Sequence, residues 1–129
     1  GRPNYDTVSV KLAERALQKA KLPASIVVDC SHANSLKDPS LQPLVVMDCV
    51  HQMKEGSQAI VGMMIESHLH AGNQPIPADL AQLKYGVSVT DACIDWETTR
   101  SVLLRARDEL APVIEARRRT EGDAGFTPG

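Results

Sequence analysis

Hydrophobic residues fall into two kinds of block along the chain. Ile26-Val27-Val28 and Ala59-Ile60-Val61-Gly62-Met63-Met64-Ile65 are continuous aliphatic runs, and each ends abruptly in polar side chains: Asp29-Cys30-Ser31-His32-Ala33-Asn34-Ser35 and Glu66-Ser67-His68. Their length and Val/Ile character predict strands over about 25–30 and 58–65, of the parallel kind that is covered on both faces. The other blocks repeat at three- and four-residue spacing. Val8, Leu12 and Ala16, with Val10, Ala13, Leu17 and Ala20, predict a helix capped by Asp6 or Thr7 and ended by Lys21-Leu22-Pro23. Leu44, Met47 and Val50, with Val46 and Met53, predict a second helix with Ser40 as N-cap, Pro43 in its first turn and Gly56 as its stop. Val102, Leu103, Ala106 and Leu110 predict a third, capped by Asp95 and kinked or ended near Leu110 by Pro112. Residues 66–94, punctuated by Gly72-Asn73, Pro75, Pro77 and Gly86, read as a connection long enough to suggest an active-site wall or lid. Beyond the third helix, 119–129 is expected to be a flexible tail, with Arg117-Arg118-Arg119 as a solvated helix end.

Helix, strand, helix, strand, helix is an α/β order that implies parallel strands joined by right-handed crossovers. Two parallel strands do not make a stable sheet by themselves. A (β/α)8 TIM barrel takes roughly 250 residues, so residues 1–118 are expected to be its C-terminal portion, about the last two strands and three helices. The opening Gly1-Arg2-Pro3-Asn4, without an initiator Met, fits a chain whose remaining part lies upstream.

Composition narrows the function. With 129 residues, 43% hydrophobic and only 3% aromatic, the chain has length and apolar content for one aliphatic core. A net charge of −2 with both signs interspersed argues against nucleic-acid partners and against a membrane surface. No run is long enough to span a membrane and no signal peptide opens the chain, so a cytoplasmic protein is expected. Three cysteines, Cys30, Cys49 and Cys93, are read as reduced thiols.

The candidate chemistry sits at the strand ends. His32, Glu66 and Asp91 combine an imidazole with two carboxylates, a donor set suited to a divalent ion such as Mn²⁺, Fe²⁺, Co²⁺ or Zn²⁺. A local alternative is a zinc site of Cys30, His32, Asp91 and Cys93, since Cys30 and Cys93 each lie two residues from a possible ligand. A third possibility is a non-catalytic piece that folds by self-association. His70 is expected in solvent and His51 as an ion-pair partner of Asp48 on the second helix.

These residues resemble a known family. Asp29-Cys30-Ser31-His32-Ala33-Asn34-Ser35, Glu66-Ser67-His68-Leu69 with Gly72-Asn73-Gln74, and Tyr85 through Trp96 (Tyr-Gly-Val-Ser-Val-Thr-Asp-Ala-Cys-Ile-Asp-Trp) resemble the C-terminal part of the type I 3-deoxy-D-arabino-heptulosonate 7-phosphate (DAHP) synthases. The resemblance covers about residues 1–118. It implies a metal-dependent TIM-barrel transferase that condenses phosphoenolpyruvate with erythrose 4-phosphate, releases phosphate, and opens the shikimate pathway to chorismate and the aromatic amino acids. His32, Glu66 and Asp91 then match catalytic metal ligands, with Asp29 and Asn34 as candidates for orienting ligands or substrate. It also implies a homo-oligomer. The family's cysteine ligand and its basic loops for the substrate phosphates belong to the upstream part, so this chain alone is expected to be inactive.

Overall fold

The computed structural model describes residues 1–124, and side chains through Gly122. The elements follow the expected order: α1 (Thr7–Lys19), β1 (Ile26–Asp29), α2 (Gln42–Lys54), β2 (Ile60–Met64) and α3 (Trp96–Ala124), with short 3-10 turns at His32–Ser35, Pro39–Leu41 and Leu80–Gln82. The two strands pair in parallel. Ile26 lies opposite Ile60 but Val27 opposite Gly62, so β2 carries one extra residue, Val61, in the first step of the ladder. Val28, Cys30 and Ile60 enter a core built from α2 and α3: Val45, Val46, Cys49, Val50, Met53, Val102, Ala106 and Leu110, with Val10 from α1. The opposite side of the sheet is open, with Val27 64% and Val61 55% exposed.

Local signals were followed closely in places. Asp6 caps α1, its carboxylate accepting the Val8 and Ser9 N–H groups. Asp95 opens α3, accepting the Thr98 N–H at 2.8 Å. Gly56, at φ +108, ends α2 in a conformation that costs glycine little.

Other expectations are corrected. Ser40 does not cap α2: Asp38 does the capping one turn earlier, accepting both the Ser40 N–H and its hydroxyl, and a 3-10 turn leads into the helix. The apolar stripe of α2 is also rotated, with Leu44 exposed while Gln42 and Gln52 are buried, because both amides bond to backbone that the core encloses. In α1, Val8 and Leu12 lie exposed, leaving Val10 as the helix's buried residue. Pro112 does not end α3, which runs on to Ala124. The proline gives up the bond to the Asp108 carbonyl, but the turns beyond it are anchored: Val113 packs on the core, and the Arg117 guanidinium donates to the carbonyls of Ser57 (2.6 Å) and Ile60 (3.2 Å). Arg117 is therefore a docked side chain and not a solvated one. Of the expected 119–129 tail, 119–124 continue α3 and 125–129 lie outside the described residues.

Candidate metal centre

β1 and β2 end side by side, and the polar residues after each aliphatic run meet there. Beyond β1 the backbone turns sharply: His32 (φ +47), Leu36 (+54) and Lys37 (+61) all occupy the left-handed region. For residues with a Cβ that conformation costs about 1 kcal/mol or more apiece, and such outliers concentrate at functional sites. The turn is closed by Lys37 N–H donating to the His32 carbonyl at 2.8 Å. Asn34 secures it from behind, donating to the Asp29 carbonyl (2.8 Å) and accepting the Asn4 N–H (2.7 Å). Asn34 thus spends its amide on the backbone, holding the loop's shape.

Asp91 arrives from the long connection. Residues 66–94 are pinned by bridges from Ser67 to Ile94, Gly72 to Cys93 and Asn73 to Ser88. The Gln74 amide donates to the carbonyls of Lys84 and Val87 and accepts the Lys84 N–H, and Asn73 donates to the Thr90 carbonyl. Gly72-Asn73-Gln74 is thus the frame of a wall, and Asp91 stands on it.

The result is a cluster in which one donor atom each from His32, Glu66 and Asp91 lies within 4.8 Å of the others. His32 Nε2 is 3.2 Å from Asp91 Oδ2 and 3.7 Å from Glu66 Oε1. Donor atoms about 2.1 Å from a shared ion sit roughly 3.0–3.4 Å apart at octahedral or tetrahedral angles. The His32–Asp91 separation falls in that range and the His32–Glu66 separation is wider, so the donor set suits a divalent cation in chemistry and would close inward to hold one. On the far side of the ring, Nδ1 is 2.8 Å from Asp29 Oδ2. That contact, then the Asp29 charge and the nearby Glu66 carboxylate, push the His32 pKa above its ordinary 6.5. Asp29 is itself fixed by the Ser31 N–H at 2.8 Å. Three carboxylates face one imidazole, with Lys37 lining the same small pocket. This balance favours an added cation.

The four-ligand alternative does not assemble. Among the described residues, the His32, Glu66 and Asp91 group is the one with metal-binding spacing. Cys30 is fully buried and its thiol meets Cys49 inside the core, where the hydrogen bond with that neighbouring thiol, and then burial, push its pKa up. Cys93 is buried too, its thiol turned to the Asp91 carbonyl at 3.6 Å. All three cysteines are free thiols. His70 is exposed as expected, whereas Asp48 is engaged by Gln52, not by His51.

Two residues around the cluster have roles that the sequence does not announce. Ser31 donates to Glu66 Oε2 at 2.5 Å. Gln42 accepts the Glu66 N–H at 2.8 Å and donates to its carbonyl at 3.1 Å. Ser31 lies within a recognisable motif but its partner is 35 residues away, and Gln42 is an ordinary helix-start residue.

Comparison with known proteins adds context. The model of the DAHP synthetase I family matches residues 1–104. A Tyr-sensitive phospho-2-dehydro-3-deoxyheptonate aldolase of Enterobacter agglomerans is 44% identical over 89% of the chain and 54% of the relative. The Tyr-sensitive enzyme of Escherichia coli (strain K12) is 45% identical over 89% of the chain and 32% of its own length. The solved structure of a phospho-2-dehydro-3-deoxyheptonate aldolase from Francisella tularensis SCHU S4 superposes with a TM-score of 0.77 at 41% identity, over 90% of this chain and 32% of that one. The chain therefore spans from 32% to 54% of the length of these relatives.

Proposed function

The chain belongs to the DAHP synthetase I family, and from that premise we propose that it supplies the metal-binding end of a synthase that joins phosphoenolpyruvate to erythrose 4-phosphate, giving DAHP and phosphate. The observation that carries this reading is the convergence of His32, Glu66 and Asp91 from two strand ends and one wall onto a volume the size of an ion. Their placement at the C-terminal ends of parallel strands is where barrel enzymes keep their chemistry. On this reading residues 1–118 are a portion of a (β/α)8 barrel, and the rest of the barrel would cover Val27, Val61, Val8 and Leu12.

His32 through Nε2, Glu66 through Oε1 and Asp91 through Oδ2 would hold a divalent ion, Mn²⁺, Fe²⁺, Co²⁺ or Zn²⁺. When bound, the ion supplies Lewis acidity toward the aldehyde oxygen of erythrose 4-phosphate. Asp29 holds the imidazole by Nδ1, so that in the neutral ring the proton sits on Nδ1 and the Nε2 lone pair is directed at the cluster. Asn34 keeps the Asp29 backbone in place. Lys37, at the pocket edge, offers a positive charge to an anionic substrate. Two phosphorylated substrates require more cations than this, so phosphate binding falls to the rest of the barrel and the 129-residue chain by itself is inactive. We place the parent enzyme in the cytoplasm, as a homo-oligomer, at the entry to aromatic amino acid biosynthesis.

The test is Mn²⁺-dependent phosphate release from the two substrates. The full-length protein is expected to turn over and to lose at least about a thousandfold on His32→Ala, a scale set by losing charge stabilisation at the reacting oxygen; the isolated chain is expected to show none. Turnover by the isolated chain would contradict the assignment of phosphate binding. A second reading, a self-associating non-catalytic chain, is favoured by the open apolar sheet face and predicts a discrete oligomer by light scattering without metal uptake.

A further inference from the structure

Glu66 is held by its backbone and its side chain at once, through the Gln42 amide and the Ser31 hydroxyl. We propose that Gln42 is a positioning residue for Glu66, acting with Ser31 so that Oε1 alone is presented to the metal; the inference rests on the metal-site reading above.

Gln42 is 0% exposed. A buried amide is costly unless both its atoms are bonded, and both are spent on the same residue, the Glu66 N–H and carbonyl. The pattern imitates the ladder a neighbouring strand would offer. It is needed because pairing with β1 stops at Met64, whose carbonyl accepts the Cys30 N–H. One further backbone bond reaches Glu66, from Ile94 N–H to its carbonyl at 3.1 Å, leaving Gln42 as the acceptor for its N–H. With the backbone clasped, Ser31 occupies Oε2, and Oε1 is the oxygen that faces His32 Nε2. Because Gln42 is the first residue of α2, these two bonds tie the start of the helix to the ligand's backbone.

Gln52 provides a matched control. It too is a buried amide of α2, but it donates to the Tyr5 carbonyl and to Asp48, both at 2.7 Å, with no bond to the cluster. Mn²⁺ affinity would be read from the free-ion electron paramagnetic resonance signal in the full-length protein, with apo melting temperature recorded alongside. Gln42→Met is expected to weaken Mn²⁺ binding about 10–100-fold, the range for losing a group that orients a ligand, while Gln52→Met lowers melting but shifts affinity by no more than about twofold. Equal weakening by both variants, or none by Gln42→Met, would overturn the proposal while leaving the metal site standing. Wild-type protein that takes up no Mn²⁺, or uptake that survives His32→Ala, overturns the metal site itself and the proposal with it. Should Gln42→Met fail to fold, Ser31→Ala tests the same claim. It releases Oε2, so the bound-Mn²⁺ spectrum is expected to change, and an unchanged spectrum overturns the proposal.

Discussion

His32 concentrates the chemistry of the site in one side chain. Its left-handed backbone is paid for by the turn around it, its Nδ1 is bonded to Asp29, and its Nε2 faces two further carboxylates. Its folded pKa is raised, first by the Asp29 hydrogen bond. The associated stabilisation is therefore full below the ordinary 6.5 and is lost as pH rises through the raised value. A metal competes with that same proton, so Mn²⁺ affinity should climb through the window above 6.5 and fall about tenfold per pH unit below it. An NMR titration of the metal-free protein should place the His32 midpoint above 6.5 in wild type and lower in Asp29→Asn; an unmoved midpoint would remove Asp29 from its role. His32, Glu66 and Asp91 were legible as ligand-capable residues because their types follow strand-like runs or sit in a long wall. Ser31 and Gln42 were not, since a serine and a glutamine acquire meaning only through a partner distant in sequence. The zinc alternative failed for a similar reason: strand alternation turns Cys30 into the core.

Elements were readable where their signals are local. The caps Asp6 and Asp95 and the stop at Gly56 stand where capping chemistry puts them. Ser40 and Pro112 misled because tertiary contacts override the local rule: Asp38 captures Ser40, and Val113 with Arg117 carries α3 past its proline. Pro112 sits in a shallow cleft with Met53, Ser57 and Arg117 and remains a fault in the helix. Pro112→Ala restores a donor to the Asp108 carbonyl and should stabilise the chain in urea by up to about 3 kcal/mol, less whatever packing the ring contributes. A destabilised variant would mean that the ring's contacts outweigh the missing bond. The rotation of the α2 stripe shows the same limit, because hydrophobic periodicity cannot register that two glutamines will be drawn inward by backbone groups.

At the scale of the whole molecule, the order of elements and the parallel pairing were legible from the alternation of strand-like and helical blocks. The open face was not, since aliphatic residues on both sides of a parallel pair predict cover on both, and within this chain only one face is covered. The core that forms is one-sided, and α1 rests its apolar positions Val8 and Leu12 in solvent. On the barrel reading these are contact surfaces for the remaining strands and helices, and the chain's share of its relatives' length leaves room for them. The site sits at the open end of this unit, where side chains from elsewhere in a barrel could complete it.

The central claim, that His32, Glu66 and Asp91 bind one ion, is tested most directly by anomalous diffraction at the manganese edge from crystals of the full-length protein grown with Mn²⁺. A single peak is expected about 2.0–2.3 Å from His32 Nε2, Glu66 Oε1 and Asp91 Oδ2, the range for nitrogen and oxygen donors. A peak at Cys30 or Cys93, or none within reach of His32, would contradict it.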